Sequence, residues 1–294
     1  MHRLVTYLPD AQLQPLLLAY RDAVAAKQRQ MILGVVIALC AVLVSAVGAE
    51  VNPGNFFENI GNFTSYFDRL AHLESGDLVW TDPQEWFWGL RRWTLQLGET
   101  ILIAYVGTLT GAIFAFAGSF MCSRNLVKSA VLRITVRRGL EFCRTVPDIV
   151  FAMIFVIAFS LGPLPGAMAI TVHTTGALGK LFSEVVESID MKPVEGIAAT
   201  GGNWFARVRF GAVPQVLSNF ASYALLRFEV NVRGAAVMGF VGAGGIGEEL
   251  IVAIRKFFYS DVSAILVMVV LCVMVIDTLS EKLRHRLLAM DNSR

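Results

Sequence analysis

The sequence predicts an all-α integral membrane protein with about six transmembrane helices, on three observations. Of 294 residues, 55% are hydrophobic and only 16% are charged, against about 25% charged in a soluble domain. The apolar residues fall in blocks of the length a bilayer crossing needs, about 20 residues each. Lys and Arg sort to alternate sides of those blocks, as they do when cytoplasmic loops retain the basic residues.

Residues 31–49 carry no charge and follow Lys27 and Arg29, which marks a first spanning helix. A cleaved signal peptide is the rival reading, since Ala46, Gly48 and Ala49 are small. About 30 residues precede the run, however, and it exceeds the usual 7–15 apolar residues of such a peptide. Residues 50–92 are polar and aromatic, with Trp80, Trp86 and Trp88 inside and Trp93 just beyond. Amphipathic rings suit the membrane–water boundary, so this segment is expected to lie on the outer surface or to pack a small core of its own. A second span is expected over about 95–120 and a basic stretch over 121–146. A third span follows over about 147–161, then a tight turn at "GPLPG" (162–166) and a fourth span over about 167–187. A polar stretch (188–211), a fifth span (about 212–238), an amphipathic piece (248–261) and a sixth span (262–280) complete the order.

With the N-terminus inside, 18 of the 25 Lys and Arg residues fall in inward segments and five in outward ones; Arg227 and Arg233 lie within the fifth span. Both termini are therefore expected in the cytoplasm. Net charge is only +2 and points to no nucleic-acid partner. Cys40, Cys122, Cys143 and Cys272 form no C-x-x-C pair and have no His at zinc spacing, so no metal site is expected.

Two nucleotide-like patterns fail on context. Residues 242–247, Gly-Ala-Gly-Gly-Ile-Gly, fit G-x-G-x-x-G, and Asp261 follows. That fingerprint works only between a strand and a helix of a βαβ unit. Here a long apolar run precedes it and another span follows. Glycine tolerates φ > 0, and irregular backbone at membrane depth survives only where protein or a water-filled cavity covers it. Gly242, Gly244, Gly245 and Gly247 are thus expected to break the fifth helix at its outer end, as a gate beside a pathway or as a plain turn. "GALGKL" (176–181) lacks the P-loop spacing and the Ser or Thr after its Lys. No cofactor is expected in this chain, and any ATP must be bound by another subunit.

The 188–214 segment reads "SIDMKPVEGIAATGGNWFARVRFGAVP", with Glu195, Gly201 and Pro214 in the order E-x5-G-x12-P. This resembles the EAA loop of ABC-importer permeases. It departs at Gly196 and Ile197, where the family has Ala-Ala, and at Gly211 and Val213, where it has Ile and Leu. "LGETILIAYVGT", "VFAMIFV", "HTTGALGKLFSEVVESI", "VEGIAATGGN" and "ALLRFEVNVRGAAVMGFVGAGGIG" extend the likeness over about 95–285 to the phosphonate ABC-importer permease subunits. The resemblance implies the type I ABC importer permease fold in a bacterial inner membrane. It divides the chain into a cytoplasmic segment (1–30), a first helix (31–49), an extracytoplasmic segment (50–92), a permease core (93–285) and a cytoplasmic tail (286–294). It implies a second permease copy, two ATPase subunits that bind ATP and Mg, and an extracytoplasmic phosphonate-binding protein. Glu195, Gly196, Gly201, Trp204, Phe205, Arg207 and Pro214 would form the ATPase-coupling loop. Phe205, Val208 and the Trp204 ring are expected to offer its apolar face.

Charge inside a span is costly and marks function by default. Arg227, Glu229, Asn231 and Arg233 in the fifth span, and His173, Thr174 and Thr175 in the fourth, are the candidate pathway residues. Arg227 or Arg233 could ease an oxyanion along, since guanidinium matches its oxygens. Alternatively, Glu229–Arg233 at i,i+4 is a structural ion pair and His173 a helix contact.

Overall fold

The computed structural model describes residues 10–291 and divides the chain into two compact units, Met1–Ser65 and Tyr66–Arg294. The first holds α1 (Asp10–Gly48) and most of α2 (Pro53–Leu70). Residues Leu17–Gly48 of α1 are long and apolar enough to cross a membrane. The helix thus starts well before the expected residue 31, running through Pro15 and through Arg21, Asp22, Lys27 and Arg29 before the charge-free stretch begins.

The second unit begins with the end of α2 and a short helix α3 (Pro83–Trp86), started by Asp82, whose Oδ1 accepts the Gln84 and Glu85 N–H groups at 3.0 Å. Then come α4 (Leu90–Cys122), α5 (Ala130–Thr145), α6 (Asp148–Phe159) and α7 (Pro163–Glu187). Two short helices, α8 (Lys192–Ala199) and α9 (Trp204–Ala206), pass through a π-helical turn at Arg207–Ala212 into α10 (Val213–Met238). A 3-10 turn at Gly239–Val241, α11 (Ile246–Arg255) and α12 (Tyr259–Asp291) finish the described chain. Among the described residues there is no strand, only one isolated bridge between His72 and Leu78. A dinucleotide-binding βαβ unit is thereby excluded at the glycine cluster.

The six expected spans correspond to α1, α4, α6, α7, α10 and α12, but they are not six equal helices. Among the described residues, three helices pass on length and apolarity, or up to five spans if each bent pair is one. The third expected span is the main correction. The helix α6 has 12 residues, about 18 Å at 1.5 Å per residue, too short for a core of about 30 Å. It is the second half of a pair with α5, bent by 88°. Pro147 causes the break: its ring bars the preceding residue from helix and it has no N–H to continue the ladder.

α7 is the centre of the unit. Within a bilayer, helices associate through close backbone approach at small residues rather than by expelling water. Gly107 and Gly111 on α4 supply one such seam. A Cβ at Gly107 would fall 2.6 Å from the Ile170 Cγ2, and one at Gly111 would fall 2.8 Å from the Thr174 Cβ. Gly176 and Gly179 on α7 supply the other, towards Leu140 and Arg144 of α5. At one end, Phe182 and Phe220 stack with centroids 3.8 Å apart, with Phe116 edge-on and Phe120 tilted against Phe220. At the opposite end, Trp93 is 2% exposed and packs with Ile246, Val262 and Ile265.

Candidate functional site

The 188–214 loop is a rigid bracket. Gln215 closes its root: its Nε2 donates to the carbonyls of Asp190 (3.0 Å) and Gly211 (2.6 Å), and its Oε1 accepts the Asp190 N–H (3.1 Å). Val194 on α8 is buried and its Cα lies where a Cβ at Gly211 would be 3.0 Å away. Glycine at 211, where the family pattern has Ile, lets α8 sit directly on the π-helical turn. Gly201 at φ +83 turns the chain between α8 and α9, in backbone space glycine enters freely. Asn203 then caps α9 by accepting the Ala206 N–H at 2.9 Å.

The loop's faces differ from expectation at two residues. Trp204 turns towards the protein, its Nε1 donating to the Leu126 carbonyl at 3.2 Å, and Val208 is buried in the core cluster around Phe182 and Phe220. Val208 is committed to holding the bracket, while Trp204 is half-buried and also lines a cavity beside Phe205 and Arg207. Phe205 is 75% exposed and Phe210 65% exposed, beside exposed Glu195, Gly196, Arg209 and Pro214. Arg207 is half-buried, with its Nε unpartnered among the described residues.

The intramembrane candidates separate into three groups. Asn231 is buried, and its Nδ2 donates to Thr108 Oγ1 at 2.8 Å and Thr174 Oγ1 at 2.9 Å, tying α10 to α4 and α7. Thr174 is closed to solvent, and Thr175 donates back to the Thr171 carbonyl at 2.7 Å. Arg233 donates to Glu229 at 2.6 Å and to Asp277 on α12 at 2.7 Å, so the expected pair is a triad that joins two helices. Arg227 is half-buried with its Nε unpartnered, and the charge facing it is Asp148 at the α5–α6 break. His173 Nδ1 lies 3.1 Å from the Val146 carbonyl at the same break.

Asp148 and Asp277 were not among the sequence candidates. Their partners are distant in sequence, and only the bend at Pro147 and the α10–α12 contact bring them together. A Cβ at Gly234 would be 3.4 Å from Asp148 Oδ2, so that carboxylate rests on α10.

The glycine cluster does break the helix: α10 and α11 meet at 47°. Gly242, Gly244 and Gly245 have φ of +78°, +84° and +81°. The break is packed against the start of α7. Gly162 N–H donates to the Gly242 carbonyl at 3.0 Å, and the Ile246 N–H donates to Thr100 Oγ1 at 2.9 Å. Gly247 has no room for a Cβ beside the Ala236 carbonyl.

Residues 107–288, from the α4–α7 seam past Asp277, match the family model described as "Binding-protein-dependent transport system inner membrane component". The phosphite transport system permease protein PtxC of Stutzerimonas stutzeri is 36% identical over 198 residues, covering 67% of this chain and 72% of that protein. A putative cryptic phosphonate transport system permease protein, PhnE2 of Escherichia coli K12, is 50% identical over 117 residues, 40% of this chain and 96% of its own. In fold, the chain is similar to a structure of the MetNI methionine ABC transporter, with a TM-score of 0.57 at 18% identity over 70% of this chain and 98% of that one. A helical bracket between two spans, a broken and sealed fifth helix and a match over most of the second unit together place the chain in the family of binding-protein-dependent transport system inner membrane components.

Proposed function

We propose that this chain is the pathway-forming subunit of an ATP-driven importer for phosphonates delivered by an extracytoplasmic binding protein. The observation that carries the reading is the bracket at 188–214. It is stapled at its root by Gln215 and packed on α10 through Val194 and Val208, yet it presents Glu195, Gly196 and Phe205 outward. A partner gripping that surface would move the bracket and α10 as one body, a hinge-and-shear motion. The partner is a pair of ATPase subunits that bind ATP and Mg; this chain supplies the mechanical part and no chemistry. A second identical copy completes the pathway, and both termini face the cytoplasm.

In this reading Asn231, Thr174 and Thr175 keep α10, α4 and α7 in register while the bracket moves. The triad at Arg233 holds α12 to α10, and the glycine break is the outer gate. Phosphite, the cargo named for the Stutzerimonas relative, is the second reading, because its oxygens offer the same geometry to a guanidinium.

The test is uptake of methylphosphonate and phosphite into vesicles carrying this chain, its ATPase and its binding protein, with each component omitted in turn. Uptake that needs all components supports the importer. Uptake that runs on an ion gradient without the ATPase overturns it.

A further inference from the structure

Building on the transport reading, we propose that a subsite for a tetrahedral phosphorus oxyanion lies between α5 and α7, formed by Arg144, His173 and Lys180. A cavity of about 460 Å³ opens there, lined by these three residues with Thr145, Ala177, Leu181 and Glu184. Positions 173, 176, 177, 180 and 184 make one stripe of α7, because residues three and four apart share a helix face. Gly176 sits in the middle of the stripe. A Cβ there would fall 2.5 Å from the Arg144 nitrogen and the Leu140 carbonyl, so the last turn of α5 lies directly on α7. Beside that close contact, His173, Ala177 and Lys180 bound the cavity along α7, with Arg144 on α5 completing it.

The basic residues of this region are not alike. Arg137 is paired with Glu187 at 2.8 Å and Arg138 with Glu141 at 2.6 Å. Within the spans, Arg233 is neutralised by Glu229 and Asp277, and Arg227 faces Asp148. Arg144 has neither an ion pair nor a hydrogen bond among the described residues, and it is exposed. Its five-donor fork is therefore available for two oxygens of one anion. His173 contributes through geometry: with Nδ1 donating to the Val146 carbonyl at 3.1 Å, Nε2 is left to meet a ligand's P–OH. Lys180 is held only loosely by Glu184, at 3.6 Å, and can turn to an incoming anion. Glu184 is the opposing charge in the cavity. It competes for Lys180 and keeps the site weak, as a pathway requires if cargo is to leave. A second cavity of about 210 Å³ shares Arg144, Lys180 and Glu184 and continues the groove along the α5–α7 seam, where Arg137 is already balanced by Glu187 and Glu141 adds a further carboxylate.

An anionic lipid headgroup offers the same phosphorus oxygens as free cargo, so the experiment separates the two. The full complex, with ATPase and binding protein, is placed in nanodiscs of phosphatidylcholine alone or with phosphatidylglycerol. Phenylglyoxal modification of Arg144 and Arg209 is followed by peptide mass spectrometry, with methylphosphonate or sulfate added. Methylphosphonate is expected to slow modification of Arg144 by about fivefold or more, with Arg209 unaffected, in both lipids, because a bidentate anion covers the guanidinium edge. No protection, equal protection by sulfate, or protection by phosphatidylglycerol alone overturns the subsite.

A second arm measures uptake by the Arg144→Gln/Lys180→Gln variant. Loss of uptake by about tenfold, with liganded binding protein still stimulating ATP hydrolysis and Arg144→Lys restoring part of the rate, supports the subsite. Full uptake by the variant overturns it and leaves the transport reading intact. Absence of stimulated hydrolysis in the unaltered complex overturns the transport reading instead. A variant that fails to assemble leaves the decision to the protection measurement on the unaltered chain.

Discussion

Asn231 shows how a polar residue in a span can serve packing. Its amide gives both protons to threonine hydroxyls on two other helices, at 2.8 and 2.9 Å. Interhelical hydrogen bonds in membranes contribute about 0.6 kcal/mol on average and about 1.7 at most, because the unfolded chain in the bilayer also finds partners. Asn231→Leu is therefore expected to cost about 1–2 kcal/mol in detergent unfolding, and a double-mutant cycle with Thr174→Val to couple by about 0.6–1.7 kcal/mol. A coupling of zero contradicts the tie. Gly247→Ala is expected to be worse, about 2 kcal/mol or more, since its methyl would overlap the Ala236 carbonyl and overpacking forces backbone to shift. The glycine cluster was readable as a helix break from composition and order alone. What each glycine packs against was not: Gly162 and Thr100 are far away in sequence. The Gly107–Gly111 seam was not read from the sequence, because both glycines sit inside an apolar run that reads as plain span. Asp148 could not be assigned a partner from sequence, because no periodicity announces an 88° bend.

At the scale of elements, the bracket decides what a substitution does. Phe205 and Glu195 are exposed, and surface changes away from special features stay within about 0.5 kcal/mol. Phe205→Ala and Glu195→Ala are thus expected to leave the unfolding midpoint nearly unchanged while uptake falls about tenfold, the loss of one contact of roughly 1.4 kcal/mol at the ATPase surface. Trp204→Ala is expected to behave oppositely: it removes a packed ring and the hydrogen bond to Leu126, and so lowers stability first. A Trp204→Ala chain of unaltered stability contradicts the inward placement. Gln215→Ala frees the root of the bracket, and ATP hydrolysis is expected to continue while uptake drops, because the lever is no longer stiff. The Glu, Gly and Pro spacing located this loop, but it could not say which of its large side chains were already spent on packing.

The second unit joins a set of packed helices to one exposed bracket between α7 and α10. Hydropathy and charge led to six expected spans; among the described residues three helices pass on length and apolarity, or up to five spans if each bent pair is one, with α7 in neither set and the proline at 147 leaving α6 a half-helix. The long helices α4, α7, α10 and α12 were expected from sequence in this order, while the helix α5, read only as a basic stretch, and the seams that make α7 central needed the structure. The central claim is that the bracket is gripped by an ATPase from the cytoplasmic side. It is tested most directly by placing p-benzoylphenylalanine at Phe205, illuminating intact membranes that contain the complex, and identifying what is captured. A covalent adduct with the ATPase subunit, lost when ATPase is omitted and accompanied by labelling of the bracket from the cytoplasmic side only, is the predicted result. Capture of lipid alone, or labelling of the bracket from the outside, would contradict it.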